Sequence, residues 1–135
     1  MKVTVETKVN ASMAKVWKAW TTPADIMKWN TGSDDWHTTK ATVDLREGGM
    51  FNSRMEAKDG SMGFDFEGKY TRIENMKLIE AIFGDRTMQV VFQQEGDGVL
   101  IRETFDTETE NPVEMQKQGW QTILNNFKKH VENIG

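Results

Sequence analysis

Alternation of apolar and polar positions dominates this chain. Val3, Val5, Thr7 and Val9 share one parity and Lys2, Thr4, Glu6 and Lys8 the other, which predicts a half-buried strand over residues 2–10. The period then changes. Met13, Val16, Trp17 and Trp20 fall at i, i+3, i+4 and i+7, an apolar stripe that predicts a helix over 12–21 opened by Ser12. Thr22-Pro23-Ala24-Asp25 restarts helical chemistry, with a threonine cap, a proline in the first turn and an acid three residues after the cap. A second short helix follows, carrying Ile26, Met27 and Trp29. Residues 30–38 (NTGSDDWHT) are polar turn-formers around one tryptophan and read as a loop.

From residue 39 to residue 106 the period of two returns. Ala41, Val43 and Leu45 alternate with Thr42, Asp44 and Arg46 up to Gly48-Gly49. Phe51, Ser53, Met55 and Ala57 oppose Asn52, Arg54, Glu56 and Lys58 up to Asp59-Gly60, a hairpin turn. Phe64, Phe66, Gly68 and Tyr70 oppose Asp65, Glu67 and Lys69. Residues 76–83 run to Gly84-Asp85, and Met88, Val90 and Phe92 alternate through 86–94. Gly96-Asp97-Gly98 then turns the chain into a strand over 99–106. Six strands on tight turns predict an antiparallel meander. Asn111-Pro112-Val113-Glu114 next opens a helix, with Asn as cap and Pro first. Val113, Trp120, Ile123, Leu124, Phe127, Val131 and Ile134 form its stripe. At 1.5 Å per residue it would run roughly 33 Å. Gly119 lies inside this helix, where glycine costs ~1 kcal/mol relative to alanine. A small residue there either admits a close neighbour or leaves space.

The order is strand, two short helices, six strands, one long helix. That is an α+β pattern in a single domain, residues 1–135. A seven-stranded curved antiparallel sheet has one apolar face, which only the helices can cover. A straight helix touches a curved sheet along a line and leaves volume at its ends, so the order predicts a cavity. Its expected lining is Trp29, Trp36, Phe51, Met55, Phe64, Phe66, Met88, Phe92, Trp120 and Leu124, with His37 at the mouth. Trp17, Trp20 and Leu124, at helical spacing, also read as core.

Composition narrows the chemistry. With no cysteine, disulfides, thiolate catalysis and Cys-ligated metals are excluded, and two histidines leave little for a His-rich metal site. Seventeen basic residues against 21 acidic ones give a net charge of −4, with no basic run beyond Lys128-Lys129. A nucleic-acid surface is not expected, because phosphate binding needs clustered Lys and Arg. No apolar run suits a signal peptide or a membrane span, so a cytoplasmic location without membrane insertion is the expectation. Five Trp, seven Phe and nine Met stand against this scarcity of reactive groups.

The local motifs are weak as chemistry. Gly63-Phe64-Asp65-Phe66-Glu67-Gly68-Lys69 has phosphate-loop spacing, but Tyr70 replaces the magnesium-binding hydroxyl and the intervening residues alternate as a strand. Asp34, Asp35 and His37 read as a solvated turn rather than a metal or acid–base site. Ser61 lies in a hairpin without the strand–helix elbow of a nucleophile. Glu103, Asp106, Glu108 and Glu110 read as a solvated acidic strand end, or as a patch for a basic partner. Of Arg46, Arg54, Arg72, Arg86 and Arg102, spread along strands, one turned inward would fix a ligand carboxylate.

Several segments together resemble one family. They are SMAKVWKAWTTPADIMKWN, DLREGGMF, an Asp-Gly hairpin, a strand ending EGKYTRI, and a terminal helix containing Gly119-Trp120. The chain is similar over its whole length to the activator of heat-shock protein 90 ATPase homologue-like family. That family belongs to the START-related helix-grip superfamily (SRPBCC), with the birch pollen allergen-like proteins and polyketide cyclases. The resemblance implies a curved sheet gripping a long C-terminal helix, and a hydrophobic cavity for lipids, steroids, polyketides or similar molecules. It implies no shared catalytic residues, and it makes Trp17, Trp29, Arg46, Gly48, Gly49 and Trp120 fold determinants. The eukaryotic co-chaperones of the family carry a separate N-terminal domain, which these 135 residues are not expected to contain.

The leading expectation is therefore non-enzymatic binding of a small hydrophobic or amphipathic ligand between sheet and C-terminal helix, without cofactor or metal. The alternatives are a chaperone-associated interaction module of the stress response, and a polyketide cyclase-like enzyme using a carboxylate, His37 or Tyr70. Either a monomer or a homodimer fits.

Overall fold

The structure, a computed structural model, describes residues 1–134. Its elements are β1 (Lys2–Val9), α1 (Met13–Thr21), α2 (Pro23–Trp29), β2 (Trp36–Val43), β3 (Met50–Ala57), β4 (Gly63–Glu74), β5 (Leu78–Phe83), β6 (Arg86–Glu95), β7 (Gly98–Asp106) and α3 (Val113–Asn133). The strands form one antiparallel sheet in the order β1-β7-β6-β5-β4-β3-β2. Strands β2 to β7 follow one another as hairpins. Strand β1 instead lies beside β7, pairing Val3 with Phe105 and Val5 with Glu103. The helices α1 and α2 carry the chain from that edge to the other.

Local chemistry explains the sharp features. Gly48 has φ +87° and its N–H donates to the Tyr70 carbonyl, while the Tyr70 N–H donates to the Gly49 carbonyl. A Cβ on Gly49 would collide with the Asp44 carbonyl oxygen, so this corner against β4 needs both glycines. Register shifts between Thr38 and Lys40 and between Tyr70 and Arg72 curl the sheet.

The curl creates a concave face, and α3 lies across it. Leu124, Phe127 and Val131 from the C-terminal half of α3 are fully buried against Val5, Val9, Val99 and Ile101 of the same core. Burying each such side chain contributes about 1.5–3 kcal/mol. The Ser12 hydroxyl accepts from the Lys15 N–H and caps α1. Trp29 donates its indole N–H to the Ala19 carbonyl at 3.0 Å, fastening α2 to α1. Trp20 lies within 5.6 Å, ring to ring, of Trp29, Phe92 and Phe127, so one aromatic cluster joins both short helices to β6 and α3.

Several boundaries differ from the sequence pattern: β2 ends at Val43 rather than running on through Arg46, and β5 begins at Leu78 rather than residue 76. Strand β2 begins at Trp36 rather than residue 39, because Trp36, His37 and Thr38 pair with Ala57, Glu56 and Met55. Helix α3 is capped at Pro112 with no side-chain cap from Asn111. The Gln116 amide instead ties the preceding loop to the helix, donating to the carbonyls of Glu108 and Asn111. Among the described residues, no helix is long and apolar enough to cross a membrane.

Candidate functional site

Helix α3 seals the sheet with its C-terminal half and stands off it with the other. Gln116, Gly119, Trp120 and Ile123, spaced at 3, 4 and 7, face a cavity of about 490 Å³ beneath this half. A Cβ on Gly119 would meet nothing within 4 Å, so this position leaves space. The sheet supplies Phe51, Ser53 and Met55 from β3, Phe64, Phe66 and Tyr70 from β4, Ile79 from β5, Met88 from β6 and Glu103 from β7. Trp20, Ile26 and Trp29 close the end formed by the short helices. Phe64 and Met115 line the cavity yet are 49% and 59% exposed, which marks the mouth between the start of β4, the start of α3 and Trp36. The Trp36 and Phe64 rings are 5.8 Å apart there.

The structure brings Trp29, Trp36, Phe51, Met55, Phe64, Phe66, Met88 and Trp120 to this one cavity. It places three of the sequence candidates elsewhere. Phe92 is buried against Trp17 and Trp20, and Leu124 is fully enclosed in the seal under α3. His37 shares neither parity nor face with Trp36 and Thr38; it is exposed, paired in register with Glu56.

The polar lining is sparse and includes one residue that the sequence pattern had assigned to solvent. Glu103 was grouped with Asp106, Glu108 and Glu110, but that group is divided. Asp106 accepts from Lys2 and Thr87, and Glu108 accepts from the backbone of Glu110 and Asn111. Glu103 instead has the parity of Val99, Ile101 and Phe105 and is only 6% exposed. Its register neighbours on β1 and β6 are Val5 and Val90. Its carboxyl makes no hydrogen bond among the described residues. All fully enclosed side-chain polar atoms there have partners, so the Glu103 oxygens border the open space. Burial alone pushes this carboxyl up to about 8, which keeps it protonated at neutral pH. The signal that finds it is its parity: an acid in the inward series of a strand is out of place.

Tyr70 and Arg86 are the other ionisable groups of the lining. Burial, with the Asp44 charge second, pushes the Tyr70 phenol up to about 12, so it remains a donor. Arg86 is the arginine that reaches the cavity, its guanidinium 4.5 Å from the centre of the Phe83 ring. Arg54, Arg72 and Arg102 pair instead with carboxylates on their own or neighbouring strands, and Arg46 with Asp44 in the connection between β2 and β3. Among the described residues, no group of three His, Asp or Glu side chains is arranged to hold a metal. The Ser61 hydroxyl donates to Asp59 within its turn.

With this geometry in view, the relatives are informative. The solved structure of the AHSA1-like protein from Aeromonas hydrophila is 44% identical, with TM-score 0.92, covering 98% of this chain and 92% of that one. Chr148 from Cytophaga hutchinsonii is 50% identical, with TM-score 0.85 and the same coverage. CV1439 from Chromobacterium violaceum shares the fold, with TM-score 0.87 at 20% identity over 99% of both chains. No curated protein matches the sequence. The family model described as Activator of Hsp90 ATPase homolog 1-like protein matches residues 10–132. The chain, a seven-stranded helix-grip fold of the SRPBCC kind, belongs to that AHSA1 family.

Proposed function

We propose that the protein binds a small hydrophobic or amphipathic molecule in the cavity between the sheet and α3, without chemical change to it. The observation that carries this reading is the cavity itself: about 490 Å³, walled by Trp, Phe and Met side chains, and open at a mouth flanked by Phe64 and Met115. That volume lies within the ~300–1,000 Å³ of small-molecule sites. Flexible Met55 and Met88 adjust to irregular ligand shapes. The helix that closes the cavity stands off the sheet at Gly119, where any larger side chain would occupy the space.

Native mass spectrometry and thermal-shift measurements against fatty acids, steroids and polycyclic aromatics test the proposal. One class should raise the unfolding temperature and survive as a one-to-one complex. Gly119→Phe should abolish both effects while the protein remains folded. Equal behaviour of the parent and Gly119→Phe towards every class would sink the proposal.

A further inference from the structure

The sheet around Glu103 is apolar on every side. β1 presents Val5, β6 presents Val90, and the next inward residues of β7 are Ile101 and Phe105. To the same cavity α3 brings Gln116, Gly119, Trp120 and Ile123, none of which titrates. A carboxyl more than nine-tenths buried, without a protein partner, bears a large desolvation cost and is retained in this wall nonetheless. Tyr70 and Ser53 extend the pattern: both are buried, both line the cavity, and neither side chain makes a hydrogen bond among the described residues.

We propose that Glu103 is the polar anchor of the cavity, donating a hydrogen bond to a carbonyl oxygen on an otherwise apolar ring ligand. The inference rests on the cavity-binding reading above and names the chemistry of its ligand. A protonated carboxyl, a phenol and an aliphatic hydroxyl are all donors, so the cavity offers hydrogen atoms to a ligand that supplies oxygen lone pairs. The other ionisable groups of the lining are Arg86 and Tyr70; His37 and His130 do not reach it. An ammonium ligand would demand an ionised Glu103 and a carboxylate ligand would seek Arg86, so each chemistry has its own signature.

Isothermal titration calorimetry with four naphthalenes of matched shape separates them. The probes are 2-acetylnaphthalene, 2-isopropenylnaphthalene, 1-(2-naphthyl)ethylamine and 2-naphthoate. The expected result is that the ketone binds about tenfold more tightly than the isopropenyl hydrocarbon near pH 7. The preference should fade above pH ~8 as the carboxyl ionises. Glu103→Leu should bind both equally. Glu103→Gln, which keeps an amide donor, should retain the preference without the pH step. Equal binding of ketone and hydrocarbon, or a preference surviving in Glu103→Leu, overturns the assignment while leaving cavity binding intact. So does tightest binding of the amine, with proton release, or of the naphthoate. Failure of all four to bind, the hydrocarbon included, overturns the cavity reading and this inference with it.

Discussion

The indole of Trp120 lies flat on the ring of Phe105, centroids 4.0 Å apart and planes within 6°. Phe105 is fully enclosed on β7, two residues beyond Glu103 on the same face, while Trp120 belongs to the half of α3 that stands off the sheet. The stack therefore acts as a pillar between floor and roof, supported at its edges by Phe66 and Phe83, whose centroids lie 6.4 and 6.0 Å from Trp120. Trp120→Ala should destabilise the fold by about 3 kcal/mol, from lost burial and stacking. Trp120→Phe should recover more than half of that. Urea denaturation reads both values, and equal losses for the two variants would show that the stack is not the source.

Gly119 offers the opposite experiment, because its missing side chain faces open space. Gly119→Ala should stabilise the protein by ~1 kcal/mol through helix propensity alone. Gly119→Leu should keep that gain and lose ligand capacity. A folded Gly119→Leu that binds the same ligands with unchanged affinity would place the site elsewhere.

Stability should fall on the alkaline side through Glu103. The unfolded carboxyl titrates at 4.5 and the folded one at about 8, so between these values the native state holds a proton that the unfolded chain has released. The contribution is whole below pH 4.5 and declines up to about pH 8, at no more than ~1.4 kcal/mol per pH unit. Glu103→Gln should remove this slope, leaving the variant more stable than the parent at alkaline pH by on the order of 3 kcal/mol. Superimposable pH profiles for parent and variant would contradict the burial of this group.

On the acid side the sign reverses. The Lys2 ammonium, then the Thr87 N–H and hydroxyl, hold the Asp106 carboxyl well below its ordinary value. The stability it contributes is present above pH 3.8 and is lost as pH falls below that value. Asp106→Asn should lower the urea midpoint near pH ~7, and the deficit should shrink progressively as pH falls below 3.8. A deficit of the same size at every pH would point to the shape of the asparagine rather than to the lost charge.

The chain's pattern exposed the faces of its strands better than it exposed what lies above them. Alternation assigned Phe51, Met55, Phe66, Met88 and Phe92 alike to the concave side, and all five point there. Whether such a residue meets a cavity or a packed helix depends on where α3 lifts off the sheet. Trp17 and Trp20 therefore cover Phe92, while Met88 lines the cavity. Trp36 looked like a loop residue because Asp34, Asp35 and His37 surround it, yet cross-strand pairing with Ala57 outweighs that local polarity. Glu103 was concealed by its company: three acids downstream argue for solvent, and one position of parity argues against it. The resemblance in the helical and Gly-Gly segments pointed to the family, and the family model and structural relatives bear that out.

The strand order also bears on time. Lys2 pairs with Asp106, and Val9 with Val99, so β1 joins a strand some ninety to a hundred residues away. Strands β2 to β7, by contrast, each add to a neighbour just made. Loop closure of that length is costly, so β1 is expected to dock after the hairpins and to slow folding. Val5 arrives with it and covers one flank of Glu103. The step that completes the sheet thus helps to dehydrate its acid, and alkaline conditions should slow it.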